Sequence, residues 1–517
     1  MSDELRAKLP CLALAAIVAL YVASALVYAE AERPNQDEGW YLYAARLVKG
    51  GQRPYRDFAY VQPPLMPYVY GALGGARSVE AGRNLGVLFG ALAVLLTALA
   101  AWRAGAAAGS PGAGLLAAAL LAFCPFVASQ QSIVKTYALA NACMAGGLLL
   151  ALRARGRPKF VAAAAAVFSL AALTRNSAAT ALLAYWLWLA ADRERRHLLA
   201  AAVPGGLLLP LLFLAPFAFG DAEALRYNLL GHHAEQTGGG NLLLTATVLV
   251  GQMAHAAPAL ATLVIAGLAL QRGVPADVEG RAEVDLLALV CGLVAVGHLV
   301  SKHPYQEYQA LAMPAAAALG GWCWGRILAA SGERRTLGVL LAALAGVTPL
   351  LAGGAARAEL AGFHRPGGIF GPLHAVCRLV AAHSRPEEPI FTFQTDVAIE
   401  TPRPLSPGLT LASFSVIDDD ARARRLHLTS PGLMREEFET ARPAVVVLSP
   451  GDVSNVLHAR WTPDDHLVVD PGLDDHGRTL YAPLVAALDA HYEAVGRVPQ
   501  VGQFAEEFTV LARRKSP

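Results

Sequence analysis

Charge is what this chain has least of. Only 16% of its 517 residues are charged, against about 25% in an ordinary globular domain. Lys and Arg total 42 and Asp and Glu 40, a net of +2, so no basic surface suited to nucleic acid is indicated. Cysteine is scarce as well: Cys11, Cys124, Cys143, Cys291, Cys323 and Cys377. The first five fall in or at the edge of apolar runs, and no CxxC pair occurs. A disulfide framework and a cysteine zinc site are thereby excluded. Apolar side chains fill the gap. They make up 55% of the chain, with a mean hydropathy of +0.41, the composition of a polytopic membrane protein.

A spanning helix needs roughly 20 apolar residues. Runs that meet or approach this are 10–29, 84–102, 112–129, 136–152, 160–174, 177–191, 199–219, 242–269, 284–300, 309–328 and 336–354, which predicts about eleven helices. The fifth and sixth form a tight pair about Thr174-Arg175-Asn176. The first run is too long for a signal-peptide core and lacks a small-x-small cleavage site, so it reads as a retained anchor. Positive charge sets the orientation. Arg6 and Lys8, then Arg153, Arg155, Arg157 and Lys159, then Arg193, Arg195 and Arg196, then Arg334 and Arg335 all fall on one side. With the N-terminus in the cytoplasm that side is cytoplasmic. Residues 30–83, 130–135, Arg175, 220–241, 301–308 and everything after about 355 then face outward. The abundance of Ala, Gly and Arg points to a GC-rich bacterial genome, and so to a bacterial cytoplasmic membrane.

The loop 30–83 is too patterned for a linker. Trp40, Tyr41, Tyr43, Ala44, Leu47 and Val48 recur at helical spacing after Asp37. Asn35 is placed to cap that helix, with Glu38 at the capping-box position. Pro63, Pro64 and Pro67 then open a second short segment ending near Tyr70-Gly71. Two readings of Asp37 and Glu38 stand open. They are a helix N-terminal pair favoured by the macrodipole, or one of them is a general base or metal ligand; both hold at once if the carboxylate sits at a helix start.

Cations share the outward face: Arg53, Arg56, Lys135, Arg175, Arg226, His232, His233, Lys302 and His303. Converging cations suit a phosphate or pyrophosphate headgroup, whereas single ones merely snorkel. Arg53 reads as snorkelling. Lys135 and Arg175, flanked by apolar helix, read as functional. His232-His233 with Glu235 reads as a solvated loop before a metal site.

Three stretches carry a resemblance: Asp37-Glu38-Gly39-Trp40-Tyr41 through Arg46, Gly51-Gln52-Arg53-Pro54-Tyr55-Arg56-Asp57-Phe58, and Gln62-Pro63-Pro64-Leu65 through Gly71. Together they resemble the first periplasmic loop of GT-C glycosyltransferases, most of all the branch holding the protein O-mannosyltransferases and the aminoarabinose transferase that modifies lipid A. The likeness extends in layout to the whole chain, and Lys302-His303-Pro304-Tyr305 leading to Met313-Pro314 is similar to the stretch before a late helix in that group. It implies transfer of a sugar from a polyprenyl-phosphate carrier to a lipid, glycan or protein acceptor outside the membrane, with inversion. It implies Asp37 as the base on the acceptor hydroxyl, and Glu38 as a group orienting the acceptor or holding a metal. Lys135, Arg175, Lys302, His303 and Arg56 are then candidates for the carrier phosphate, and Tyr41, Tyr55, Gln62, Pro63 and Pro64 shape the substrate loop. The chain departs from the pattern twice. Ser132-Ile133-Val134-Lys135-Thr136-Tyr137 holds no second carboxylate, and Gln62 stands where Lys or His often precedes the prolines. The resemblance fixes no cofactor, and a divalent metal stays an open candidate.

From about 357 the composition turns polar. Strands are expected at Pro389–Phe393, Ala444–Leu448 and Phe508–Ala512, and helices at Leu373–Ala382 and Tyr481–Val495. Asp418-Asp419-Asp420, Asp464-Asp465-His466 and Asp474-Asp475-His476 read as solvated turns. The expected layout is a transmembrane domain over 1–356, containing the loop 30–83, and a soluble extracytoplasmic α/β domain over 357–517. A transporter or lipid flippase is the alternative, and a non-catalytic scaffold a third. Transporters show internal repeats and midplane charges; here no repeat is visible and charge gathers on one face.

Overall fold

The computed structural model describes residues 3–107, 110, 112–154, 156–232, 281–298, 305–329, 368–440 and 442–514, with isolated positions at 234, 246–248, 257, 264–265 and 267–268. In chain order the first helices are α1 (Asp3–Ala31), α2 (Gln36–Lys49), α3 (Leu65–Ala72), α4 (Val79–Ala107), α5 (Ala113–Ala122), α6 (Pro125–Ser132) and α7 (Tyr137–Arg153). Then come α8 (Pro158–Thr174), α9 (Ala179–Ala191), α10 (Leu199–Gly220), α11 (Ala222–Arg226), α12 (Arg281–Gly297) and α13 (Met313–Ala329). Contacts divide the chain into two compact units: 1–29 with 84–216 and 233–360, and 30–83 with 217–232 and 361–517.

The first unit is helical. Leu12 and Leu20 on α1, and Leu208, Leu211 and Leu212 on α10, are more than half exposed, as lipid-facing side chains are. Among the described residues α1, α4 and α10 are long and apolar enough to cross a membrane, with a fourth span if the bent pair α5–α6 counts as one. The chain is a multi-pass membrane protein. Helices also fill the expected spans at α7, α8, α12 and α13, each of 17 residues, and at α9, of 13. A helix of that length reaches about 25 Å or less, short of the roughly 30 Å hydrocarbon core. The expected count of about eleven spans is therefore not established by these helices. The runs 242–269 and 336–354 lie almost wholly outside the described residues.

The run 112–129 is not one straight helix. It breaks between α5 and α6 with a bend of 66°. Pro125 opens α6 and has no N–H to continue α5. It also drives Cys124 into an extended conformation, φ −87° and ψ 109°, as a residue before proline prefers. Small residues let neighbouring helices close up. A Cβ at Gly321 of α13 would lie 2.5 Å from the Ala113 carbonyl oxygen of α5. The expected tight pair is present: Arg175 is extended between α8 and the short turn that starts α9.

The second unit begins with α2. Asn35 caps it and Glu38 completes the capping box, as the sequence predicts. The C-terminal segment adds α14 (Gly371–His383), α15 (Thr395–Glu400), α16 (Asp420–Leu426), α17 (Pro431–Glu439) and α18 (Asp475–His491). Its strands are β1 (Ile390–Thr392), β2 (Val445–Leu448), β3 (Ala459–Trp461), β4 (Leu467–Val469), β5 (Tyr492–Val501) and β6 (Glu506–Arg513). The sheet runs β1-β2-β6-β5, with β1 parallel to β2 and the other pairs antiparallel. β3 and β4 form a separate hairpin.

All three expected strands are found, and the helix expected at Leu373–Ala382 is α14. The helix expected over 481–495 is α18, but it stops at His491. Residues 492–495 open β5 instead, because Tyr492 pairs with Arg513 of β6 and buries its ring with the hydroxyl donating 2.8 Å to the Pro443 carbonyl. Cross-strand pairing there outweighs helical periodicity. The acidic runs are local devices: Asp419 and Asp474 cap α16 and α18, and Asp465 takes a left-handed turn, φ 62°.

Gly39 sets how closely α2 meets α15. A Cβ there would stand 2.2 Å from the Asp396 amide nitrogen and 2.5 Å from Thr395 Oγ1. Gly39→Ala should therefore cost about 1–3 kcal/mol through overpacking. A lowered apparent melting midpoint of the purified protein checks this; an unchanged midpoint contradicts the packing.

Candidate active site at the first loop

The α2 start fixes two adjacent carboxylates in opposite situations. The Asp37 amide donates to Asn35 Oδ1 at 3.0 Å, and Glu38 Oε2 accepts from the Asn35 amide at 2.9 Å. This geometry turns Glu38 inward and leaves Asp37 half-buried. Asp37 Oδ1 accepts from the Trp40 indole at 3.2 Å. The carboxylate thus sits in the first turn, where the helix dipole favours negative charge, with one oxygen steered by a side chain one turn on.

Glu38 is 0% exposed and Arg83 1%. Arg83 Nε donates to Glu38 Oε1 at 2.8 Å, and its Nη2 donates to Oε2. The remaining guanidinium hydrogens reach the Glu32 carbonyl at 2.7 Å and the Arg33 carbonyl at 3.0 Å. The Phe370 ring lies 4.9 Å from the guanidinium carbon. Both Glu38 oxygens are thus engaged, Oε1 by Arg83 and Oε2 by Arg83 and the Asn35 amide, and the carboxylate braces the start of α2. Arg83 was not among the sequence candidates. It is the last residue of the loop 30–83, just before the apolar run 84–102, with no local feature that pairs it with Glu38.

The substrate-loop candidates are packed into the same loop. Tyr41 stacks on Trp40 with centroids 3.6 Å apart, and Tyr60 meets both rings edge-on. Tyr55 is buried in a left-handed conformation, φ 67°, and its hydroxyl donates 2.6 Å to the Gln62 carbonyl. Gln62, Pro63 and Pro64 are buried. Arg56 is the exposed member, its side chain 54% accessible and 3.8 Å from Asp57.

In the helical unit, Lys135 and Arg175 come together with partners that sequence reasoning missed. Lys135 Nζ donates to Glu307 Oε1 at 3.0 Å. Arg175 donates to Thr136 Oγ1 at 3.0 Å and lies over the Tyr137 ring at 4.4 Å and the Tyr308 ring at 5.2 Å. Both cations are buried, at 7% and 9% exposure, in aromatic surroundings that strengthen electrostatics. Lys302, His303, His233 and Glu235 lie outside the described residues. His232 packs edge-on against Tyr227 and Phe414.

Among the described residues no group of three His, Cys, Asp or Glu side chains stands close enough to hold a metal. With Glu38 tied to Arg83, the Asp37-Glu38 pair does not fit a divalent ion.

No family model matches the chain, and neither does any curated protein sequence. Among solved structures it matches ArnT from Cupriavidus metallidurans bound to undecaprenyl phosphate. There the identity is 14% and the TM-score 0.64, over 96% of this chain and 97% of that one. It matches the Archaeoglobus fulgidus oligosaccharyltransferase tethered with an acceptor peptide at 12% identity and TM-score 0.53, over 96% and 74% of the two chains. The same enzyme in complex with Zn and sulfate gives 13% and 0.55, over 93% and 79%. The fold is that of the GT-C membrane glycosyltransferases.

Two outcomes follow from the bracing network. Arg83→Ala should destabilise the protein by about 3–5 kcal/mol, because it strands a buried carboxylate. Adding Glu38→Ala should recover part of that loss, which a double-mutant cycle of thermal midpoints measures. Asp396, fully buried near Glu38 and Glu400, has its carboxyl pushed up from 3.8 to about 7 chiefly by burial. The folded state therefore holds a proton the unfolded chain gives up. That contribution is present below about pH 4 and is lost as pH rises to about 7. Asp396→Asn should raise the melting midpoint relative to wild type at pH 8, with the gap closing toward pH 4. A gap independent of pH contradicts this.

Proposed function

We propose that the protein moves a sugar from a polyprenyl-phosphate carrier to an acceptor hydroxyl outside the cytoplasmic membrane, with inversion at the anomeric carbon. The observation that carries this is Asp37: a half-exposed carboxylate at a helix start, steered by Trp40, while its neighbour Glu38 is locked away. Support comes from the end-to-end likeness in fold to a transferase whose structure holds undecaprenyl phosphate.

In this chemistry Asp37 takes the proton from the acceptor hydroxyl. The acceptor oxygen bonds to the anomeric carbon as the bond from that carbon to the carrier phosphate oxygen breaks, and the electron pair leaves with the phosphate. A lipid phosphate needs no proton, but its charge needs cations. Arg175 suits that task best, since its planar guanidinium keeps its charge in apolar surroundings. Lys135 shares its charge with Glu307 and contributes less. Lys302, His303 and Arg56 remain further candidates. No step needs a metal.

Asp37→Asn should lower the rate of sugar release from the carrier by about 10²–10⁴-fold. Elution behaviour and undecaprenyl phosphate binding, followed by native mass spectrometry, should stay as in wild type. Wild-type turnover in the variant would remove Asp37 from the mechanism.

A further inference from the structure

A cavity of about 220 Å³ opens within the second unit. Gln36, the residue just before Asp37, forms part of its wall. Gln394 follows β1, Asp452 and Asn455 lie in the turn after β2, and Phe504 and Glu506 sit at the tip of the β5–β6 hairpin. The expected chemistry of the first loop uses none of these but the neighbourhood of Gln36.

The lining is selective. Among the described residues it contains no lysine, arginine or histidine, while two carboxylates, Asp452 and Glu506, belong to it. A phosphate or other anionic headgroup would meet repulsion there and no cation. The neutral polar groups are side-chain amides and hydroxyls, which both donate and accept. Beside them the Phe504 ring, at the hairpin tip, is 66% exposed. Eight polar side chains stand in the lining against four apolar ones, Val456, Val501, Phe504 and Phe508, a more polar wall than that of most small-molecule sites. The volume is below the roughly 300–1,000 Å³ of drug-sized sites, so it suits one ring and not a chain of them.

The polar side is held rigid. Asp452 accepts from the Ser449 amide at 2.8 Å and from Gln394 Nε2 at 3.3 Å, and the Ser449 hydroxyl takes the Asp452 amide at 3.0 Å. Burial pushes the Asp452 carboxyl up to about 6. The hairpin tip is shaped by left-handed residues at Gly502 and Ala505, φ 68° and 56°. A ring carrying hydroxyls on its rim and C–H bonds on its face matches such a lining: amides for the hydroxyls, Phe504 for the face.

We propose that this cavity is a subsite for one uncharged sugar ring of a glycan acceptor, with Phe504 against the ring face and Gln36, Gln394 and Asn455 reading its hydroxyls. The word acceptor rests on the transferase proposal; the binding of a ring does not.

The test is saturation-transfer difference NMR on the full-length protein in a sugar-free detergent. The probes are methyl glycosides of glucose, mannose and N-acetylglucosamine, with methyl phosphate as the anionic comparison. Saturation of glycoside ring protons is expected for wild type and for Asp37→Asn. Phe504→Ala and Asn455→Ala should each weaken it roughly fivefold, as for the loss of one stacked or hydrogen-bonded contact. No transfer to any glycoside overturns the proposal. So does transfer that both variants leave intact, or a preference for methyl phosphate. Phe504 and Asn455 line an open cavity, so both variants should elute as wild type. If glycoside binding follows Phe504 while Asp37→Asn keeps full turnover, the subsite stands and the catalytic assignment falls. If turnover needs Asp37 and no glycoside binds, the reverse holds.

Discussion

A carboxylate shut away from water has to be neutralised where it sits, and Arg83 does this for Glu38. The pair is worth more as geometry than as energy, since the cost of desolvating two charges offsets much of their attraction. Its effect is on position. Glu38 is also half of the capping box, so the ion pair and the helix start are one object. Arg83 ties that object to the carbonyls of Glu32 and Arg33. The next carboxylate along, Asp37, is thereby placed in the first turn of α2 with its indole partner and with access to solvent. Two adjacent acids have different surroundings because one residue of helical rotation separates them.

The rest of α2 keeps that placement. Gly39 lets the helix press against α15, and Arg46 donates to the Ala398 and Ile399 carbonyls at the end of α15, both at 2.7 Å. The Tyr43 hydroxyl accepts from the Leu405 amide at 2.8 Å, and Thr410 donates to the Ala59 carbonyl at 3.0 Å. Loop 30–83 and the C-terminal segment are therefore parts of one packed body, although more than 300 positions separate them in the chain. A candidate catalytic group on a loop gains precision from such support.

Local signals in the sequence were legible. The capping box at Asn35 and Glu38 needed only three residues of context, and the apolar runs announced their helices. The strands at 390–392 and 445–448 were readable as short runs of β-branched, aromatic and aliphatic residues. What escaped depends on distant partners. Arg83 has no local feature that pairs it with Glu38, 45 positions away, and Glu307 was read as part of a loop until Lys135 stood beside it. The bend at 112–129 was signalled by Pro125, but apolar continuity masked it. The start of β5 carried helix-like spacing that the pairing with β6 overrode. The cavity by the β5–β6 hairpin was not legible at all, because its walls come from separate stretches of sequence.

The central claim is that the carrier is cleaved and not merely carried. It is tested most directly in liposomes holding the purified protein, polyprenyl-phosphate sugar labelled in the sugar, and an envelope glycan extract as acceptor. The account predicts that label leaves the carrier for the extract, that free polyprenyl phosphate appears in equal amount, and that the anomeric configuration of the product is inverted. Label that crosses the bilayer while still attached to its lipid would contradict it.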